Sequence, residues 1–489
     1  MSDLEKYFAP FKNKIIGDDL DFETPYGIKR MLYADWIASG RLYKPIEETF
    51  TNKVGPYVAN THTETSESGT LMTRAYHYAQ KLIKEHVNAD NNDVIITTGF
   101  GMTSAIVKFQ RILGLKINCP EERICPEYSV KPIVFVTHME HHSNQTSWYE
   151  TIADVVQIPP GKDLLVDLDE LRKLLETYKD RKVIIGSFTA CSNVTGIITP
   201  YHEMAKIIHE YGGLCFVDYA ASAPYVNMDM HPKDPMMKLD AIFFSPHKFL
   251  GGPGSSGVLI FDKRLYNRHS PDQPGGGTVD WTNAWGEFKY IDDIEAREDG
   301  GTPGFLQAMR TAMSIRLKEK IGVDKIKERE KELTKKTFKE LKKISGLHIL
   351  ADKIEDRLGI ISFYMDNIHF NLVVKLLNDK FGVQVRGGCA CAGTYGHYLL
   401  NVSYEDSHKI TSLINTGDLS EKPGWIRLSL HPTMSDQELD LVINALRQIS
   451  AKHTEWVKDY IYNRHNNEFR HKSEPEDKTV KILNWFEIE

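Results

Sequence analysis

Little in this chain would tie it to a membrane, to nucleic acid or to an oxidising compartment. No apolar run in its 489 residues approaches the roughly 20 residues that a membrane-spanning helix needs. The opening MSDLEK lacks the basic-then-apolar pattern of a secretory signal. Basic residues do not prevail: 60 Lys and Arg stand against 67 Asp and Glu, a formal net charge of −7, which argues against nucleic acid as the main partner. Only six cysteines occur (Cys119, Cys125, Cys191, Cys215, Cys389 and Cys391), in no framework of pairs, and this fits a reducing cytoplasm better than a disulfide scaffold. Internal repeats and low-complexity tracts are missing too. So are a complete G-x-G-x-x-G turn, a P-loop and an H-E-x-x-H helix. What remains has an ordinary globular composition, 41% hydrophobic, at a length that exceeds one core and implies two or three domains.

Against that background four segments stand out. Residues 240–260, DAIFFSPHKFLGGPGSSGVLI, put Lys248 between two short apolar runs and before a glycine-rich turn. An amine held there by Ser245 and His247 suits a Schiff base, although a surface lysine in a β-turn has the same local pattern. Upstream, 212–221 reads GGLCFVDYAA, a short buried strand ending at Asp218. A carboxylate at a strand's carboxyl end stands where ligands bind in open α/β sheets; it could also cap a following helix. Earlier, 93–107, DVIITTGFGMTSAIV, reads as strand, glycine turn and helix start. The helix opens around 101–103, where free N–H groups favour a phosphate, with Thr103 and Ser104 as hydroxyl donors; a Gly-x-Gly turn alone can be a mere tight connection. In MEHHSN at 139–144, preceded by His138, three histidines would share a helical face, as metal ligands might, but no His-Glu-x-x-His arrangement accompanies them.

Taken together, these segments resemble the class V aminotransferases, pyridoxal-phosphate enzymes of fold type I, and most of all their cysteine desulfurase and selenocysteine lyase branch. The likeness runs over about 33–446. It implies an α/β fold: a large domain with a mostly parallel sheet covered by helices, and a smaller α+β C-terminal domain. It also implies pyridoxal 5'-phosphate as cofactor. On this sequence the Schiff-base lysine is then Lys248 and the pyridinium partner Asp218. The phosphate contacts are Met102, Thr103, Ser245 and His247, the ring-stacking histidine is His141, and the Asn beside the cofactor hydroxyl is Asn193. Arg386 matches the substrate-carboxylate arginine, whose two-pronged hydrogen bond no lysine reproduces. Arg427 is a second anion contact. Asn60 and His62 fall at the substrate pocket, although a structural His62 is equally compatible. The turn PGGGT at 274–278 would reach a neighbouring subunit's phosphate through Thr278, in a homodimer.

The branch assignment rests on VRGGCACAGTYG at 385–396. Desulfurases carry a sulfur-accepting cysteine on a mobile loop after the arginine, and Cys391 falls at that position, with Cys389 as a second candidate. Such a thiol must be accessible and partly deprotonated. Cys-x-Cys lacks zinc-site spacing and no second pair follows, so a metal is not expected; two inert loop thiols remain an alternative. The chain departs from the family in three places. Ala221 stands where a Gln usually bonds the cofactor's phenolic oxygen, a loss that Asn193 or Tyr219 would have to make up. Asn60-Thr-His-Thr63 lacks a following arginine. His431-Pro-Thr433 replaces a Tyr-Asn-Thr-like run. The function implied is removal of sulfur or selenium from L-cysteine or selenocysteine, giving alanine and a cysteine persulfide, with a sulfur-acceptor protein as a possible partner. An aminotransferase, a C–S lyase or an epimerase on the same fold is the alternative; a non-catalytic sulfur-trafficking scaffold is another.

The organisation follows from strand and helix signals. An N-terminal arm (1–32) precedes the large domain (33–305), the small domain (306–457) and a C-terminal extension (458–489). Strands are expected at 94–97, 133–137, 183–188, 214–217, 241–244 and 257–261, with one of the small domain at 359–364. The charge-dense stretch 315–344 predicts one long surface helix, its lysines a solvated face. The aromatics Tyr460, Tyr462, Trp485 and Phe486 are expected to dock on the body.

Overall fold

The computed structural model describes residues 2–116, 131–474 and 482–488; Cys119 and Cys125 lie outside them. The central sheet has seven strands: β1 Asp93–Thr98, β2 Ile133–Thr137, β3 Asp154–Ile158, β4 Ile184–Thr189, β5 Leu214–Asp218, β6 Ala241–Phe244 and β7 Gly257–Asp262. Their spatial order is β1-β7-β6-β5-β4-β2-β3. Only β7 runs against its neighbours β1 and β6; the other pairings are parallel. Alternate side chains enter two different cores. Ile95, Phe135, Val217, Ile242 and Ile260 face one, and Val94, Val134, Phe216, Phe243 and Leu259 the other. A sheet buried on both faces needs apolar residues at nearly every position, which is why these segments read as continuous apolar runs. The edge strand β3, DVVQI, is only half-buried and has no such signal; the sequence reading passes over it.

A second sheet is fully antiparallel: β8 Leu347–Ile349, β9 Ile360–Met365, β10 Arg386–Gly388 and β11 Trp425–Ser429, in the order β8-β9-β11-β10. It packs with the helices Phe370–Phe381 and Asp436–Trp456 around its own core. Register sets Arg386 of β10 opposite Arg427 of β11. The N-terminal arm ends beside this sheet: Leu32–Tyr33 pairs in parallel with Val383–Gln384 in a separate two-stranded sheet, and the Ser429 N–H of β11 donates to the Ala34 carbonyl at 2.8 Å. Asp35 is thereby delivered beside both arginines.

The single long helix expected over 315–344 is corrected to two, Phe305–Ile321 and Val323–Leu341, broken at Gly322 with φ +86°. The break lets the first helix bury Met309, Ala312 and Ile315 in the large core, while the second sends Leu333, Phe338 and Leu341 into the small one. In the extension, Tyr460 does dock: it is buried, its hydroxyl donates to Asp379 Oδ2 at 3.0 Å, and Tyr462 packs against His369 of the body at 5.4 Å between ring centroids. Trp485 and Phe486 do not, at 72% and 76% exposure. Among the described residues no helix is long and apolar enough to cross a membrane.

Candidate active site

The carboxyl ends of β1, β5 and β6 open into a cleft of about 390 Å³, whose far wall is Arg386, Ala390, Cys391 and Arg427. That volume is in the range of small-molecule sites. The turn after β1 forms one end. Gly99 has φ +53°, and a Cβ there would lie 2.2 Å from Ser104 Oγ, so glycine is required. The helix Met102–Ile112 follows with Gly101 as its cap. The Met102 N–H donates to Ser245 Oγ at 2.8 Å, Thr103 Oγ1 and Ser143 Oγ are 2.6 Å apart, and His247 Nδ1 donates to the Phe100 carbonyl at 2.9 Å. A Cβ on Gly101 would stand 3.1 Å from both Ser245 Oγ and His247 Cε1. Hydroxyls, an imidazole and a helix N-terminus thus surround a space kept open by a missing side chain. That is a fitting cradle for a phosphate group.

Two charges lie deeper. Lys248 follows β6 on the short turn Pro246–Lys248. Burial pulls its amine down to about 8, opposed by Asp218 and reinforced by Arg427 and Arg386. Asp218 ends β5 almost fully buried, with Oδ1 accepting the Ala220 N–H at 2.8 Å. Burial lifts its carboxyl to about 6, against the pull of that N–H and of Lys248. No helix starts here, so the capping alternative falls away. His141 caps the helix His142–Tyr149, its Nδ1 accepting the Ser143 N–H at 3.1 Å. Burial, with Lys248 nearby, pushes its pKa down to about 3. The ring is therefore neutral and carries its proton on Nε2, because a nitrogen that accepts cannot also hold the hydrogen. A flat neutral imidazole, an amine near neutrality, a buried carboxylate and a phosphate cradle form a donor set that fits pyridoxal 5'-phosphate.

The opposite wall handles anions. Asp35, which the sequence reading misses, accepts from both arginines: Arg386 Nε at 3.0 Å on Oδ2 and Arg427 Nη2 at 3.0 Å on Oδ1. Arg427 is buried, also donates to the Asn193 carbonyl at 3.2 Å, and keeps Nε without a partner. Arg386 is half-exposed, with a 53% exposed side chain. Cys391 is exposed and Cys389 half-buried; only Cys391 lines the cleft. Ala390 and Cys391 have φ of +49° and +56°, a left-handed pair that non-glycine residues rarely adopt. Asn193 Nδ2 donates to the Ala390 carbonyl at 2.7 Å, and its buried Oδ1 has no partner.

The structure does not bring every expected residue here. Asn60 and His62 are exposed and lie outside the cleft, as does Thr278, whose hydroxyl donates to the Gly275 carbonyl at 2.6 Å in its own turn. His62 stands beside that turn, 3.5 Å from where a Gly277 Cβ would be. The histidines share no face. His138 donates through Nε2 to the Leu164 carbonyl at 2.9 Å, His141 faces the cleft, and His142 turns to the cysteine loop. Beneath them Glu140, also missed, accepts from Thr137 Oγ1 at 2.7 Å, the Thr189 N–H at 2.9 Å and Asn144 Nδ2 at 2.7 Å. Burial raises its pKa to about 7.

Comparison with known proteins follows the same outline. The family model for class-V aminotransferases matches residues 32–442. A probable cysteine desulfurase of Staphylococcus epidermidis is 30% identical over 383 residues, covering 77% of this chain and 87% of that protein. A probable cysteine desulfurase of Halalkalibacterium halodurans is 28% identical over 370 residues, 74% of this chain and 84% of that protein. Among solved structures, a cysteine desulfurase of Escherichia coli superposes with a TM-score of 0.71 at 20% identity, covering 91% of this chain and 98% of that one. The apo cysteine desulfurase of Thermococcus onnurineus gives 0.70 at 22%, covering 86% and 95%. At those identities the structural likeness establishes the α/β fold.

Proposed function

Because this chain belongs to the class V aminotransferase family, we propose that it is a pyridoxal-phosphate-dependent cysteine desulfurase, taking sulfur from L-cysteine to leave alanine and a persulfide on Cys391. The observation that carries this reading is the Cys391 thiol, on an exposed left-handed turn, opening into the cleft that holds Lys248, Asp218 and two arginines. A transaminase needs no such thiol.

The cofactor, when bound, supplies an electron sink for the substrate's Cα and Cβ. Met102, Thr103, Ser245 and His247 would hold its phosphate, Lys248 its carbonyl carbon, Asp218 its ring nitrogen and His141 its ring face. Asn193 lines the cleft, and its Nδ2, which donates to the Ala390 carbonyl, would have to turn to the phenolic oxygen to replace the Gln that Ala221 lacks. Arg427, buried and fixed by Asp35, and Arg386, freer, orient the substrate carboxylate. The Lys248 amine, brought close to neutrality by burial, takes and returns a proton at Nζ. The Cys391 thiolate attacks the substrate sulfur. The substrate's C–S bond breaks with its electron pair left on carbon, a proton replaces the sulfur there, and the S–S bond of the persulfide forms. Atoms and electrons balance with no outside oxidant.

The finer parts of the reading rest on lesser observations. Exposure of Cys391 supports onward transfer to an acceptor protein. Four free thiols among the described residues support a cytoplasmic setting. An apolar groove lined by Ile46, Tyr78, Leu82, Met309 and Met313 supports a homodimer, in which Thr278 and His62 would serve the neighbour's site. Selenocysteine is proposed as a second substrate of the same geometry.

The test compares alanine, pyruvate and sulfide formed from L-cysteine, with a reductant, by the native protein and by Cys391→Ala. Alanine that disappears with Cys391 is the expected result. Pyruvate from both proteins would replace desulfuration by elimination, and turnover of neither would remove L-cysteine as the substrate.

A further inference from the structure

Immediately beside the cleft, and not lining it, His142 makes two contacts to the cysteine loop. As the first residue of its helix, it has a backbone N–H with no intrahelical acceptor; this N–H donates to the Cys391 carbonyl at 2.8 Å. Its imidazole Nε2 accepts the Gly393 N–H at 2.9 Å. A glycine leaves this second contact room, since a Cβ on residue 393 would stand 3.2 Å from that same nitrogen and crowd it. One turn further along the helix, Gln145 Oε1 accepts from Thr394 Oγ1 at 2.9 Å. From the opposite side Asn193 grips the Ala390 carbonyl. Between these grips lie Ala390 and Cys391, both left-handed.

Two successive non-glycine residues do not hold that conformation unaided. We infer that His142 is a positioning residue, a latch whose imidazole holds the Cys391 loop in its left-handed form and so aims the thiol into the cleft. The inference rests on the desulfurase reading for its purpose but not for its geometry. The left-handed pair would relax once the latch opens, carrying Cys391 out of the cleft; that gives the loop two discrete positions, one to take sulfur and one to pass it on. Nε2 must be an acceptor for the latch to close, so a neutral ring with its proton on Nδ1 is the working form. Burial favours it, holding the His142 pKa below its usual value. Glutamine is the side chain that would place an acceptor oxygen near the Nε2 position; phenylalanine keeps the ring and removes the acceptor.

The test uses the cofactor-loaded protein and two separate readouts. The first is the rate at which iodoacetamide alkylates Cys391 in the resting enzyme, with Cys389 resolved by peptide mass mapping. The second is alanine formation from L-cysteine. Loss of one net hydrogen bond changes the ratio of closed to open loop by about tenfold. His142→Phe is therefore expected to change the Cys391 alkylation rate by about that factor and to lower kcat, with KM and the cofactor absorbance unchanged. His142→Gln should restore both. Gly393→Ala, which crowds the latch from the loop side, should move both readouts the same way as the Phe variant and covers the case in which His142→Phe does not fold. Unchanged alkylation in both Phe and Ala variants would overturn the latch, as would a Phe defect that Gln leaves unrepaired. If no form turns over L-cysteine, the desulfurase reading fails while the alkylation rates still decide the latch.

Discussion

Asp218 and Lys248 bring opposite charges into the buried end of one cleft, and each lowers the other's burden without abolishing it. The sign of the consequence is definite. The folded-state pKa of Asp218 is raised to about 6 from 3.8, so the native state binds a proton more tightly than the unfolded chain between those values. Stability is thus lost as pH rises from about 4 through about 6, and the full cost is present at pH 7. For cofactor-free protein, Asp218→Asn is expected to raise the melting temperature at pH 7.5, through on the order of 2–3 kcal/mol of stability, and at pH 4.5 to raise it through only about 1 kcal/mol. It should also weaken cofactor binding. A variant that melts lower at both pH values would refute the account. Lys248 behaves in the opposite sense: its amine, lowered from 10.5 to about 8, costs stability below about 8 and is relieved as pH climbs towards 10.5. The two residues most legible in the sequence are these, because each closes a short apolar run. Asp35 and His142 were not legible in this way. One acts across 351 residues on Arg386 and the other across 251 on Gly393, and no local pattern reveals either partner: the histidine group around His142 points only to a shared helical face. Asp35→Asn tests the first: it should raise KM for the amino acid, as the amide leaves one acceptor oxygen and no charge to hold two arginines, with the cofactor's absorbance spectrum unaltered.

Elements succeed or fail in the sequence by how completely they are buried. Six of the seven central strands announce themselves because both faces are covered, while half-buried β3 does not. The long helix was misjudged because charge density persists across Gly322, whereas φ +86° there is a backbone property with no hydropathy signature. The turn after β1 shows how an element positions chemistry. β7 runs antiparallel against β1, and Gly257 at its start lies so near the turn that a Cβ would come within 2.2 Å of the Gly101 carbonyl. Gly257→Ala must push that turn, and the helix start carrying Thr103, away from Ser245. Overpacking of this kind costs roughly 1–3 kcal/mol, so cofactor affinity should fall about ten- to hundredfold with the circular dichroism spectrum intact. Unaltered affinity in fluorescence titration with pyridoxal phosphate would mean that the turn does not shape the cradle.

At the scale of the molecule, the cleft exists because two cores meet, the large sheet supplying charge and cradle and the small sheet supplying arginines and thiol. The pairing of Leu32–Tyr33 with Val383–Gln384, just before β10, and the Ser429 N–H donating to the Ala34 carbonyl fasten this part of the chain beside the second sheet, so anything that steadies the small core also steadies the anion wall. The C-terminal extension divides on this point. Its first part, the hairpin Tyr460–Asn463 and Glu468–His471, lies on the helix Phe370–Phe381, and Tyr460 is buried there against Asp379. Its last described residues carry Ile482, Leu483, Trp485 and Phe486 in the open. Removing a buried large aromatic costs about 3–5 kcal/mol, so Tyr460→Ala should speed hydrogen exchange in β9 and β11 and leave β4 and β5 protected. Deleting the chain from 482 onward takes away these exposed side chains, and it should alter neither pattern. Hydrogen exchange followed by peptide is the suitable measure, because a chain with several cores need not unfold in one step. Equal deprotection of both sheets by Tyr460→Ala would mean that the cores unfold as one unit, and the small sheet could not then move independently around the site.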